Sequence, residues 1–300
     1  MLVRLPLKDT GMREEIASFV EDVSALVSPP EVWVRLNEVV NDPRSAASDV
    51  AEVIGRDTSL TARVLQIVNS PYYNFPSRVD TISRAVTILG TNDLFSLATA
   101  VTAARVFANV PCELVRPEDF WRHAICTGLA ARQLARQRGV LHVERLYVAG
   151  LLHDIGSLVL YRKFPSKISA VLMAAEGDEE VLYRVEQDMF GFDHAEIGGA
   201  LLELWKLPPT LLSAVRHHHD PEQANGGRLE AGLVHIANVA ANRCEDGAFM
   251  ATGASQELVP DPVAWRLTGL DPAVLDTIGA ELAQELEQAT AVFMPRANHS

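Results

Sequence analysis

Apolar residues recur at the spacing of an α-helix through nearly every segment of this chain, while the two-residue alternation of a half-buried strand is scarce. Ile67 and Val68 follow Val64 and Leu65 by about one turn, and Leu201, Leu202 and Trp205 follow Ile197 in the same way. The pattern predicts an all-α fold. Helices fit residues 29–40, 46–54, 59–69, 82–89, 92–107, 117–138, 143–153, 179–188, 193–206, 209–217 and 228–243. Ser28-Pro29-Pro30-Glu31 reads as a capping box with proline at the first helical position.

Breakers in 109–116 (NVPCELVR), followed at once by Pro117, divide the pattern into two helical lobes. The division is an N-terminal extension (1–27), a first helical lobe (28–110), a second helical lobe (111–244) and a C-terminal helical extension (245–300). The extension begins with a Gly-, Asp- and Pro-containing tract and ends in an amphipathic helix over about 271–287, suited to docking on the body or to serving a partner. With 300 residues, 48% of them hydrophobic, the chain can bury a core of that size.

The formal charge of −13, with no run of Lys or Arg, excludes direct nucleic-acid binding as the expected role. Apolar runs are too short and too often interrupted by charge for a membrane span, and Pro6 and Asp9 stand where a signal peptide needs an apolar stretch. Cys112, Cys126 and Cys244 form no C-x-x-C pair. A cytoplasmic location with reduced thiols is expected.

The chemistry concentrates in the second lobe. His153 and Asp154, in AGLLHDIGS, place an imidazole nitrogen beside a carboxylate at a helix end, where both can reach one divalent metal or bridge two. Asp119 and His123 are four apart on a predicted helix and share its face. His194 follows in FDHAEIGG, then His218 and His219 in HHHDP. His217 is the solvent-facing member of its run, because three consecutive helical residues cannot face one point. His142 and His235 read as ordinary structural histidines, and His299 as part of a frayed tail.

This order resembles the HD superfamily of metal-dependent phosphohydrolases, and in particular the HD-GYP branch, which cleaves cyclic dinucleotides. The resemblance implies a last ligand in LVHIANVAAN, at Asn238, where that family has aspartate. Ser157 stands where it has a phosphate-neutralising lysine, and the GYP tripeptide is absent. The first lobe resembles a different relative. Asp57, Leu60, Arg63 and Leu65, then Asn69-Ser70-Pro71-Tyr72-Tyr73, then Ile82, Ala85-Val86 and Leu89-Gly90, look like the signature of the HDOD family. The likeness runs over roughly residues 20–240, so the second lobe is expected to be HD-domain-like.

HDOD domains look like HD hydrolases that have generally lost catalysis and serve as output or scaffold modules in bacterial signalling. The resemblance implies a regulatory module that meets other signalling proteins, with a remnant pocket for a divalent metal (iron, manganese or another) or a small nucleotide ligand, and a capacity to oligomerise. The alternative it leaves open is a metal-dependent phosphodiesterase acting on cyclic dinucleotides. For Asn69-Ser70-Pro71-Tyr72 the residues themselves suggest a helix C-terminus and turn, with Asn69 placed to cap carbonyls between the lobes.

Overall fold

The described fold opens with α1 (Glu31–Asn41), and the computed structural model describes residues 16, 30–70, 73, 75–107, 110, 114–244 and 259–293. Ser28 and Pro29 of the expected capping box lie outside that set. Helix α1 begins at Glu31, with Pro30 as its N-cap at φ −56° and ψ 148° and no side-chain cap bond. The extended ψ keeps Pro30 outside the helix, where its missing N–H costs nothing.

Four more helices follow before residue 110: α2 (Ala47–Arg56), α3 (Thr58–Val68), α4 (Ile82–Leu89) and α5 (Thr91–Val106). Asp57 starts α3 by accepting from the Leu60 amide at 2.9 Å, and Thr81 starts α4 by accepting from the Arg84 amide at 3.2 Å. Every residue from Leu94 to Ala103 of α5 is buried, which makes it the helix the others pack around.

Asn69 ends α3 in a way the turn residues only partly announce. Its amide nitrogen donates to the carbonyls of Leu65 (2.8 Å) and Val79 (2.6 Å), and its amide oxygen accepts from the Val79 amide at 2.7 Å. The bonds close the 70–80 loop within the first lobe, so the expected capping between lobes is corrected: Val79 lies ten residues on, directly before α4. Replacing Asn69 with alanine deletes all three bonds and is expected to cost about 1–2 kcal/mol in denaturant unfolding. A loss within error of zero would mean that the loop holds itself. Pro71, Tyr72 and Asn74 lie outside the described residues.

The second lobe is built on α6 (Pro117–Arg138), which is buried along most of its length. Against it pack α7 (Glu144–Leu152) and, later in the chain, α13 (Arg228–Cys244); between these two come α8 (Ile155–Lys163), α9 (Pro165–Ala175), α10 (Glu179–Phe190), α11 (His194–Leu204), α12 (Pro209–Arg216) and a 3₁₀ turn (Pro221–Gln223). Helices α8 and α9 fall where the sequence pattern predicts none. All residues from Ile155 to Tyr161 are buried, so α8 has no polar face and leaves no amphipathic signature. Among the described residues there is no strand, and no helix is long and apolar enough to cross a membrane.

One continuous apolar core joins the two halves. The Trp33 ring of α1 lies 5.7 Å from that of Trp205, just after α11, and donates its indole N–H to Thr99 at 3.1 Å. Tyr73, from the loop that Asn69 closes, carries the Arg132 guanidinium over its ring at 5.3 Å, and Arg132 in turn pairs with Glu144 at 3.0 Å.

The C-terminal extension docks on the body. Helix α14 (Pro262–Thr268), another helix the sequence pattern does not show, lies against α13 where Gly232 leaves room for Thr268. Helix α15 (Val274–Phe293) lies along α6, with Arg122 bound to Glu287 at 2.8 Å and Gln133 to Glu285 at 3.1 Å. His235 has a structural role here, as its sequence position suggests. Its Nδ1 donates to the His218 carbonyl at 2.7 Å, which fixes the tautomer, and its Nε2 accepts from the Asp261 amide at 3.0 Å.

Candidate metal centre

Glycines bring the site together. At Gly150 of α7 a Cβ would sit 2.7 Å from the Gly128 Cα and 2.7 Å from the Thr127 carbonyl, so only hydrogen lets α6 and α7 approach this closely. That contact sets His123, one turn before Thr127, against His153, three residues after Gly150. At Gly156 of α8 a Cβ would collide with the His194 carbonyl and lie 2.7 Å from the Gly198 amide of α11. The second contact lays His194 beside Asp154, the residue that precedes α8.

Asp154 is the centre of the resulting cluster. Its Oδ2 lies 3.1 Å from His153 Nε2 and 3.9 Å from His123 Nε2, and its Oδ1 lies 3.4 Å from His194 Nε2 and 3.5 Å from His218 Nε2. His219 Nε2 meets His194 Nε2 at 2.8 Å. Two groups of three therefore have ligand atoms within 4.8 Å of one another: His194, His218 and His219, and His123, His153 and Asp154.

Three imidazoles are oriented from behind. Nδ1 of His153 bonds the Gly150 carbonyl at 2.7 Å, Nδ1 of His218 the Val215 carbonyl at 2.7 Å, and Nδ1 of His194 a Glu186 oxygen at 2.6 Å. A carbonyl oxygen only accepts, so Nδ1 of His153 and His218 carries the proton and each Nε2 presents its lone pair toward Asp154. This is how metal-binding histidines are held. His218 Nε2 and Asp154 Oδ1 are buried with no hydrogen bond of normal geometry. A divalent cation would satisfy them, and nitrogen and carboxylate donors in this number suit iron, manganese or zinc.

The electrostatics gather opposite charges at this point, and a metal would have to displace the proton they hold on His194. Burial opposes ionisation of Asp154, yet the His153 and His194 imidazoles hold its carboxyl well below the usual carboxylate range. Burial also disfavours a charged His194, but Glu186 and Asp154 outweigh it and raise that imidazole well above its ordinary value. His218 and His219 are pushed well below theirs, first by burial and then by neighbouring imidazoles, so their lone pairs are available at neutral pH.

A family model for the HDOD domain matches residues 26–221, more than half of the chain. The chain belongs to the HDOD family. Its structure is similar to that of an HDOD domain protein of unknown function from Geobacter sulfurreducens, at 25% identity and a TM-score of 0.67, covering 92% of this chain and 98% of that one. It is also similar to a protein of Shewanella amazonensis SB2B, provisionally named a phosphohydrolase, at 27% identity and a TM-score of 0.68, covering 94% and 98%. An uncharacterized protein of Treponema pallidum (strain Nichols) is 28% identical over 222 residues, which are 73% of this chain and 42% of that protein. The chain thus spans less than half of that relative's length.

Within this HDOD site the expected ligands divide. His123, His153, Asp154, His194, His218 and His219 converge. Asp119 does not join them: its two carboxylate oxygens accept from Arg116 at 2.7 Å each, a partner three residues earlier that sequence spacing equally allowed. Asn238 does reach the cluster, where its Oδ1 lies 2.9 Å from His123 Nε2 and accepts from Asn242 at 3.3 Å. Ser157 is buried and brings no charge. His217 is half-buried at the C-cap of α12 rather than turned fully outward.

Glu186 was not among the sequence candidates, although it is buried and holds His194. A signal was present. On α10 it follows the apolar Leu182 by four and precedes Phe190 by four, so a carboxylate occupies the buried face of an amphipathic helix.

Proposed function

We propose that this HDOD chain is a non-catalytic bacterial signalling module whose centre holds a single divalent metal, iron or manganese, as a structural or regulatory ligand. One observation carries the reading. Two divalent ions would bring four positive charges to a buried cluster in which Asp154 is the one carboxylate among the described candidate ligands, with Glu186 behind His194, because Asp119 is bound to Arg116 and the last position is the neutral Asn238. A single ion is matched by Asp154 with His194, His218 and His219, and by His153 beside them.

When bound, the metal supplies Lewis acidity and a cross-link. The chain's own residues do the holding: His153 and Asp154 from the α7–α8 junction, His194 from the start of α11, and His218 and His219 from the end of α12. A change at the centre would shift these junctions relative to one another, and that shift is the output a partner protein would read. Other signalling proteins, a second copy of the chain or a small nucleotide are the partners this reading expects, in the cytoplasm.

A metal-dependent phosphodiesterase acting on cyclic dinucleotides is the second reading. It is favoured by the placement of Asp154 between two groups of imidazoles, one facing each oxygen. Restoring a carboxylate separates the two. The Asn238→Asp variant is expected to raise metal content from one to two ions per chain in elemental analysis, because it supplies the missing charge beside His123. A wild-type protein that already carries two ions would contradict the single-metal reading.

A further inference from the structure

Helix α10 brings two side chains to one half of the cluster. Tyr183 stacks on the His219 ring, with centroids 4.5 Å apart and planes 15° from parallel. One turn later Glu186 accepts from both N–H groups of His194, from the backbone at 2.8 Å and from ring Nδ1 at 2.6 Å. Both bonds fall on the same oxygen, Oε2, so the carboxylate fixes the position of the helix start and the rotation of the ring together.

We propose that Glu186 is the positioning residue that makes Asp154, His194, His218 and His219 the occupied half of the centre. The proposal rests on the reading that this centre holds a metal. Glu186 Oε2 accepts from His194 Nδ1, so a proton stays on that nitrogen and Nε2 is the one a metal would take, displacing any proton it carries. His194 Nε2 faces Asp154 Oδ1 at 3.4 Å and His219 Nε2 at 2.8 Å. The spacing suits neighbouring ligands of one ion, since two donors about 2.1 Å from a metal and at right angles are about 3 Å apart.

The same carboxylate makes the imidazole a stronger donor by drawing on its Nδ1 proton, and it places negative charge one bond beyond the ligands. His123 has the opposite surroundings. Its Nε2 faces the neutral amide oxygen of Asn238 at 2.9 Å, with the Thr127 hydroxyl at 3.4 Å. The carboxylate that supports a histidine has been placed on the His194 side, and the family position that would have charged the His123 side is an amide.

The test uses the full-length chain, stripped with a chelator and titrated with cobalt(II), following heat and visible absorption. Glu186→Gln keeps an accepting oxygen but loses the charge, and Glu186→Met loses both at similar size. Glu186→Met is expected to weaken cobalt binding by about 100-fold and to change the absorption bands, as one nitrogen donor is lost; Glu186→Gln is expected to weaken it by about 10-fold with the bands kept. Circular dichroism of the stripped proteins checks folding, and if the methionine variant does not fold, the glutamine variant decides. Wild-type affinity and bands in the glutamine variant would overturn the role of Glu186 while leaving the metal reading intact. A wild-type protein that takes no cobalt would overturn the metal reading itself, and this inference with it.

Discussion

Gly156→Ala is expected to destabilise the protein by at least about 3 kcal/mol and to leave it without bound metal. The added methyl would collide with the His194 carbonyl and lie 2.7 Å from the Gly198 amide, and both obstacles are backbone that no rotamer change can move aside. Relief requires α8 and α11 to separate, which carries Asp154 away from His194. Gly55 in α2 is the internal control, because a Cβ there meets nothing within 4 Å. Gly55→Ala is expected to be neutral or stabilising by up to about 1 kcal/mol, since alanine is the better helix former. Denaturant midpoints of the two variants, read beside their metal content, make the comparison. A Gly156→Ala protein within about 1 kcal/mol of wild type would mean that the helix contact is not what assembles the site.

Asp154→Asn is expected to reduce metal affinity by more than about 100-fold, a larger loss than removal of a supporting residue gives. Asp154 is the one carboxylate between the two imidazole groups, with one oxygen directed to His153 and the other to His194 and His218. Asparagine keeps the shape and removes the charge that balances a divalent ion. Asp119→Asn provides the contrast. Its carboxylate is taken up by Arg116 in a largely exposed pair, so the change is expected to cost at most about 1 kcal/mol and to leave metal binding as it was. Calorimetric titration with manganese measures both. Equal losses from the two substitutions would place Asp119 in the centre after all and would sink the geometry described above.

Those contrasts show which parts of the chain spoke in the sequence. Helices with one polar face, such as α2 and α11, were legible because their apolar residues repeat at helical spacing. Helix α8 was not, because burial on all sides removes the contrast on which the pattern depends. At the site, His153, Asp154, His194, His218 and His219 were legible from residue type and order. Asp119 was misleading because spacing alone cannot choose between His123 four residues on and Arg116 three residues back. Glu186 was silent because it belongs to no motif and acts through His194. The reading of His217 as the solvent-facing member is corrected: His217 and His219 are both half-buried, and the helix ends at Arg216, so a turn rather than a helix face sets how the three rings diverge.

The proposed function is a regulatory centre that would hold a metal without using it for hydrolysis. Metal analysis of the purified full-length chain, followed by incubation with cyclic dinucleotides in added manganese or iron, measures both halves of that statement at once. One ion per chain with the cyclic dinucleotides left intact is the expected result. Two ions per chain, with hydrolysis that disappears in His153→Ala, would contradict it.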